Sequence, residues 1–302
     1  MSSSVSETLH SETAKTEQLP AVTPNKDNLE PLLCARHLSA TGKKGRIFGP
    51  LDLDLYPGDL CVVTGNTGCG KTTLLVALGA HFKKPYGQLT IAGIDALEHP
   101  YKAMQHTALA RIGNYIALED RLTVEDAILE RAYLDGISVK KAQERVLDME
   151  EYMGYRLDRG VEIEQLPPIV RAIFSIGLMA LRPADVIIYD DVDIFVRQEE
   201  KKYLYELIKK WCAFDNCVVI ASAVEVGHVP EGTVVVNLDG GRHFPVQSIV
   251  EKDDQVQVMG KNNIFQQEMQ SGEVRYIDAQ GSDEMYEHLE NPSSHVVKGG
   301  NA

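Results

Sequence analysis

An α/β fold built around a phosphate-binding loop is predicted by three features of this 302-residue sequence. The stretch Gly65-Asn66-Thr67-Gly68-Cys69-Gly70-Lys71-Thr72-Thr73 meets the pattern G-x-x-x-x-G-K-[ST] at every fixed position. It lies between the β-branched run Leu60 to Thr64 and the helical run Thr72 to His81, so a strand passes through a glycine-rich turn into a helix. Roughly 120 residues on, a second apolar strand, Val186-Ile187-Ile188-Tyr189, ends in Asp190-Asp191.

Composition narrows the function classes. With 44% hydrophobic and 25% charged residues the chain reads as a globular protein with a sizeable core. A formal net charge of -14 argues against nucleic acid as a partner, because affinity for phosphate backbones comes from clustered Lys and Arg. The five cysteines, Cys34, Cys61, Cys69, Cys212 and Cys217, are odd in number and show no C-x-x-C spacing, so neither a disulfide framework nor a zinc site is expected. That usage fits a reducing compartment. Cys69 reads as a small residue filling a variable position of the loop, with a reactive thiol as the alternative. No apolar run approaches the ~18 residues of a membrane span and no secretory leader pattern opens the chain, so direct membrane insertion is not expected.

The elements follow in order. Residues 1–31 are rich in Ser, Thr, Glu and Pro and are expected to be a disordered tail. Leu32 to Ser39 and Leu51 to Leu55 read as strands joined by the turn Gly42-Lys43-Lys44-Gly45-Arg46. After the loop helix, Gly87 to Ile91 and Arg111 to Ile116 read as further strands. Thr123 with an acid three residues on, Asp126, has N-cap spacing and opens a helix to about Leu134; a second helical pattern spans Lys140 to Tyr152. Pro167-Pro168 starts an apolar helix to Leu181, since proline suits a first turn. Glu199 to Ala213 is an amphipathic helix with Leu204, Leu207, Ile208 and Trp211 as its core stripe. Cys217 to Ser222 and Thr233 to Leu238 are strands, the latter leading into a hairpin turn at Asp239-Gly240-Gly241. From residue 247 the chain is acidic and polar, with weak β signals at Val256 to Met259 and Val274 to Ile277.

The loop motif carries a chemistry. Backbone N–H groups and the positive helix end converge on one point, where a polyphosphate binds. Lys71 is placed to reach the β and γ phosphates and the Thr72 hydroxyl to ligate Mg²⁺, so ATP and Mg²⁺ are the expected cofactors.

From Leu32 to about Gln247 the order of elements resembles the ATP-binding subunit of ABC transporters, within the P-loop NTPases. The resemblance rests on the phosphate loop, the strand ending at Asp190, Leu122-Thr123-Val124-Glu125-Asp126, and the close at Val236-Asn237-Leu238-Asp239-Gly240-Gly241-Arg242. It implies an ABC-type nucleotide-binding domain over residues 32–246, with a small antiparallel β part at its N-terminal side and a helical insertion at about residues 119–181. It makes Asp190 the Mg²⁺-associated acid and Asp191 the general base, in a position where the family has Glu. It also exposes departures. The family's signature L-S-G-G-Q aligns with Leu166-Pro167-Pro168-Ile169-Val170, its Q-loop glutamine with Leu118 beside Glu119, its switch histidine with Ala223, and its S-A-L-D loop with Ile194-Phe195-Val196-Arg197. No aromatic residue lies near Thr41 and Gly42, where the family stacks one on adenine. Slow hydrolysis is therefore expected. The resemblance implies membrane-spanning permease subunits and a second ATP-binding subunit as partners, with the chain held peripherally at the cytoplasmic face of the membrane. A nucleotide-gated regulatory protein without turnover is the alternative. A small-molecule kinase is disfavoured, because beyond Arg197 only Arg242 and Arg275 are available as phosphate-clamping arginines.

Overall fold

A computed structural model describes residues 29–43, 45–225, 227, 229–238 and 275–278. Two sheets organise these residues. Strands β1 (Leu33–Gly42), β2 (Gly45–Leu55), β4 (Tyr86–Ile91) and β5 (Ile94–Asp95) make an antiparallel sheet in the order β2-β1-β4-β5. Strands β3 (Leu60–Thr64), β6 (Thr107–Arg111), β7 (Val186–Tyr189), β8 (Val218–Ala223), β9 (Val234–Asn237) and β10 (Arg275–Asp278) make a parallel sheet in the order β10-β9-β3-β8-β7-β6. The α/β class and the small N-terminal antiparallel part are as the sequence predicts.

The central parallel strands β3, β7 and β8 are almost wholly apolar because both of their faces are covered. In β3, Leu60 and Val62 join a core shared with α3 (Val124–Asp135), α4 (Val139–Met153), α5 (Pro168–Met179) and α6 (Lys201–Asp215). Cys61 and Val63 face the opposite core, filled by α1 (Lys71–Leu78), α2 (Pro100–Met104) and the antiparallel sheet. β8 repeats the alternation, with Val219 and Ala221 on the helical side and Val218 and Ile220 on the other.

The Thr123 cap lies where the sequence places it. Thr123 Oγ1 accepts from the Asp126 N–H at 3.1 Å, and α3 ends on the left-handed Gly136. Ser138 caps α4, and Gly154 ends it in the same conformation. Pro168 occupies the first turn of α5, where no N–H is needed. In α6, Leu204, Ile208 and Trp211 are buried and Leu207 is half-buried, which is the expected stripe.

Two segments differ from expectation. The strand read over Arg111 to Ile116 lies earlier, at Thr107–Arg111, and Ile112 to Ile116 instead closes a tight turn bridged between its ends. Gly113, at φ 48°, and Asn114 are turn residues, whereas Thr107-Ala108-Leu109-Ala110-Arg111 has little intrinsic β preference. Its pairing with β7 puts it in the sheet. The β signal near Val274 falls on β10, which extends the core sheet beside β9 in parallel register. The hairpin turn at Asp239-Gly240-Gly241, the β signal at Val256 to Met259 and residues 1–28 lie outside the described residues.

Candidate nucleotide site

The loop leaves β3 where its neighbours are β8 on one side and β9 on the other. The chain crosses from one half of the sheet to the other there, and the carboxyl ends of parallel strands open a crevice at such a switch point. Gly70 sits at φ 110° before the first residue of α1, and a Cβ added to it would lie 2.6 Å from the Ile47 carbonyl oxygen. Only glycine passes this point without moving β2. The turn is closed by the Cys69 N–H donating to Asn66 O at 3.1 Å and the Leu74 N–H to Gly70 O at 2.9 Å. Gly65 and Gly68 also take positive φ, at 144° and 82°. Thr67 and Asn66 are exposed, Cys69 is half-buried, and Thr73 lies half-buried in the first turn of the helix.

Lys71 is 7% exposed. Its ammonium donates to Gly65 O at 2.6 Å and Asn66 O at 3.2 Å, and no carboxylate among the described residues pairs with it. A buried cation held only by carbonyl dipoles is poorly compensated. A polyphosphate in the loop would correct that deficit, so the cradle fits its ligand.

Across from Lys71, Asp190 at the end of β7 is 1% exposed. Two hydroxyls hold its carboxylate: Thr72 Oγ1 donates to Oδ2 at 2.8 Å and Ser222 Oγ to Oδ1 at 2.6 Å. The Asp190 N–H donates to Arg111 O at 2.9 Å. A hydroxyl and a carboxylate already in contact at a helix N-terminus are hard oxygen donors of the kind Mg²⁺ accepts beside phosphate oxygens. The residues thus fit the metal.

Asp191 takes a left-handed backbone, φ 51°, held by its N–H donating to Ser222 Oγ at 2.8 Å. Such strain in a non-glycine residue persists where the surroundings over-determine it, and it collects at functional sites. Burial pushes the Asp191 carboxyl pKa up, the neighbouring Asp190 adds to this, Lys71 and Arg111 oppose it, and Asp193 adds a little more.

The remaining positions aligned by resemblance are also placed. Leu118 is half-buried against the helical-side core, and Glu119 is exposed. Pro167 caps α5 and Pro168 is its first residue, both exposed. Ala223 ends β8 with no exposure, while Ile194 and Phe195 are 56% and 66% exposed on the turn after Asp191. Thr41 and Gly42 are exposed at the end of β1.

Two residues at this edge were not singled out from the sequence. Ser222, which ties Asp190 to Asp191, was detectable as the polar residue near the carboxyl end of an otherwise apolar strand. Arg111 ends β6 beside the strand acids and was hidden by reading that strand four residues late. It lines a cleft of about 290 Å³ together with Arg171, Ser175, Tyr189 and Phe195. Burial raises the Tyr189 phenol pKa, and Arg111, hydrogen-bonded to it, opposes the rise.

Residues 48–192, which span the loop and both strand acids, match the family model described as ABC transporter. The chain is 25% identical over 227 residues to the arabinose import ATP-binding protein AraG of Azospirillum brasilense, a match that takes in 74% of this chain and 44% of that protein. It is 27% identical over 179 residues to the phospholipid-transporting ATPase ABCA3 of Homo sapiens, covering 58% of this chain and 10% of that one. It therefore spans less than half the length of either relative. In fold it is similar to cbiO1 of Clostridium perfringens, part of the ABC transporter complex cbiONQ, with a TM-score of 0.55 at 14% identity over 65% of this chain and 79% of that one. Loop, acid-ended strand and matched family agree: this chain carries an ABC nucleotide-binding domain of the P-loop NTPase superfamily.

Proposed function

We propose that this chain is the ATP-binding subunit of an ABC-type transporter, binding Mg-ATP at the phosphate loop and hydrolysing it slowly. In this reading it works beside a second ATP-binding subunit and drives or gates membrane-spanning permease subunits at the cytoplasmic face. The observation that carries the reading is the 2.8 Å contact of Thr72 with Asp190, residues 118 apart in sequence, beside the Lys71 ammonium. Among the described residues no helix is long and apolar enough to cross a membrane, in keeping with attachment through partners.

In the hydrolytic step a water oxygen attacks the γ-phosphorus, the bond to the β-phosphate bridging oxygen breaks, and ADP departs with that electron pair. Asp191 takes the water proton. Thr72 and Asp190 are the residues that would hold Mg²⁺, which would supply charge neutralisation to the transferring phosphoryl group. Asp191 is one methylene shorter than the family's Glu, and proton transfer needs heavy atoms within about 3 Å, so the step is slow. Ala223 and Pro167-Pro168 offer no side-chain donor to the γ-phosphate, which slows it further.

Asp191→Asn tests the role. Phosphate release should fall at least about a hundredfold, the usual scale for removing a general base, with ATP affinity held within a fewfold. The pH profile adds a sign. A raised pKa keeps Asp191 protonated, and idle as a base, to higher pH than an ordinary aspartate. The wild-type rate should therefore drop on the acid side earlier than an unperturbed carboxylate would dictate, and the variant's residual rate should lack that limb. Phosphate release unchanged in Asp191→Asn would remove the base assignment and favour nucleotide-gated binding without turnover.

A further inference from the structure

Resting on the reading of the loop as an ATP site, we propose that Arg111 contacts the γ-phosphate from within the same chain, as a cation standing in for the side chains missing at Leu118 and Ala223. Three observations converge on it. Arg111 is the last residue of β6, paired with Tyr189, and its carbonyl accepts the Asp190 N–H at 2.9 Å. Because β3, β6, β7 and β8 are parallel, their carboxyl ends share the sheet edge from which the phosphate loop departs. Arg111 therefore ends its strand at the edge that carries the two acids, and its side chain lines the adjoining cleft with Leu118, Tyr189 and Phe195.

Its guanidinium also lacks, among the described residues, the carboxylate partner that holds several other arginines. Among the described residues Arg171 is paired with Asp120, Arg145 with Asp215, Arg131 with Asp135 and Arg159 with Glu150. Arg111 pairs with no described carboxylate. It hydrogen-bonds the Tyr189 phenol, rests 5.2 Å from the centroid of the Phe195 ring, and makes a long contact from Nε to Gly113 O at 3.5 Å. Cation–π seating on an exposed ring and a hydrogen bond to a neutral phenol are each weaker than a charge-assisted bond with phosphate and yield to it. Phe195 itself stands four residues after Asp191, on the same turn.

Electrostatics agree with that placement. Lys71 and Arg111 are the two cations that oppose the raised pKa of Asp191. An anion held by Lys71 next to Asp191 therefore lies in the field of both. Arginine supplied in cis to a transferring phosphoryl group is a known device of phosphate-loop enzymes, because its planar donors meet two oxygens at once. Here it would favour ATP over ADP, since ADP has no γ-phosphate to hold.

The test is equilibrium titration of the full chain with ATP and with ADP, in Mg²⁺, for wild type, R111A, R111Q and R171A. The wild type should prefer ATP. R111A and R111Q should each lose about tenfold of that preference, through weaker ATP binding alone, with ADP affinity held within about twofold. R171A, whose arginine is engaged by Asp120, should keep the wild-type ratio. The assignment is overturned by a wild-type ratio in R111A and R111Q, by losses that fall equally on ATP and ADP, or by a wild type with no preference for ATP. A wild-type chain that binds neither nucleotide overturns the phosphate-loop reading itself, an outcome distinct from failure of the arginine alone. R111Q keeps the length and polarity of the site, so a folding defect confined to R111A does not decide the matter.

Discussion

Lys71→Ala is expected to bind ATP about a hundredfold more weakly than wild type, on the order of 3 kcal/mol, while its nucleotide-free form melts no lower than wild type. The two halves of this result have one cause. In the empty loop the ammonium is buried and held only by Gly65 O at 2.6 Å and Asn66 O at 3.2 Å. Removing an undercompensated buried charge relieves the fold, whereas removing the partner of two phosphate groups cripples the site. Thermal melting with and without Mg-ATP reads both at once. Wild type should rise in Tm with ligand, as mass action requires for a ligand that binds only the folded state, and Lys71→Ala should not. A variant that melts well below wild type without nucleotide would mean that Lys71 is structural.

Trp211→Ala is expected to cost about 3–5 kcal/mol of folding stability, the range for a large aromatic removed from a core. Trp211 is 1% exposed on α6 and joins the packing of the helical side against the sheet. Its ring lies 5.6 Å from that of Phe214, and the Arg145 guanidinium sits 6.0 Å from its centroid. Gly177 of α5 is glycine because a methyl there would run into Met149 Sδ and come 3.3 Å from Trp211, so α4, α5 and α6 meet at this ring. For a chain of this size the loss corresponds to a fall in Tm of roughly 10 °C. Trp211→Phe should be far milder, below about 1.5 kcal/mol, since it keeps most of the ring volume and removes an indole N–H that has no buried partner. Denaturant unfolding of both variants checks the pair. Equal losses would show that the ring volume kept by phenylalanine does not hold this packing together.

Local chemistry was legible in the sequence wherever it is written within a few neighbouring residues. The strand, loop and helix at Leu60 to Leu78 and the strand ending at Asp190 are such stretches, because an uninterrupted apolar run and a glycine-rich turn each specify their own geometry. The cap at Thr123 was equally local. Register between distant strands was not legible. Thr107–Arg111 carries two alanines and joins the sheet because Ile187 and Ile188 stand opposite it, a fact about residues nearly 80 positions away. That slip of four positions hid Arg111. β10 is a similar case, since parallel pairing with β9 joins two stretches about 40 residues apart with no short turn to announce it. Ser222 was overlooked because its two hydrogen bonds reach across from β8 to the end of β7.

The measurement that tests the account most directly is the identity of the nucleotide the chain retains. Purified protein is incubated with excess Mg-ATP, stripped quickly of unbound nucleotide, and its bound nucleotide identified, with Lys71→Ala as control. The account predicts nucleotide that depends on Lys71 and is present as ADP in wild type, because Asp190 and Asp191 still support a slow turnover. Retention of unhydrolysed ATP alone, or retention that Lys71→Ala leaves untouched, would contradict it.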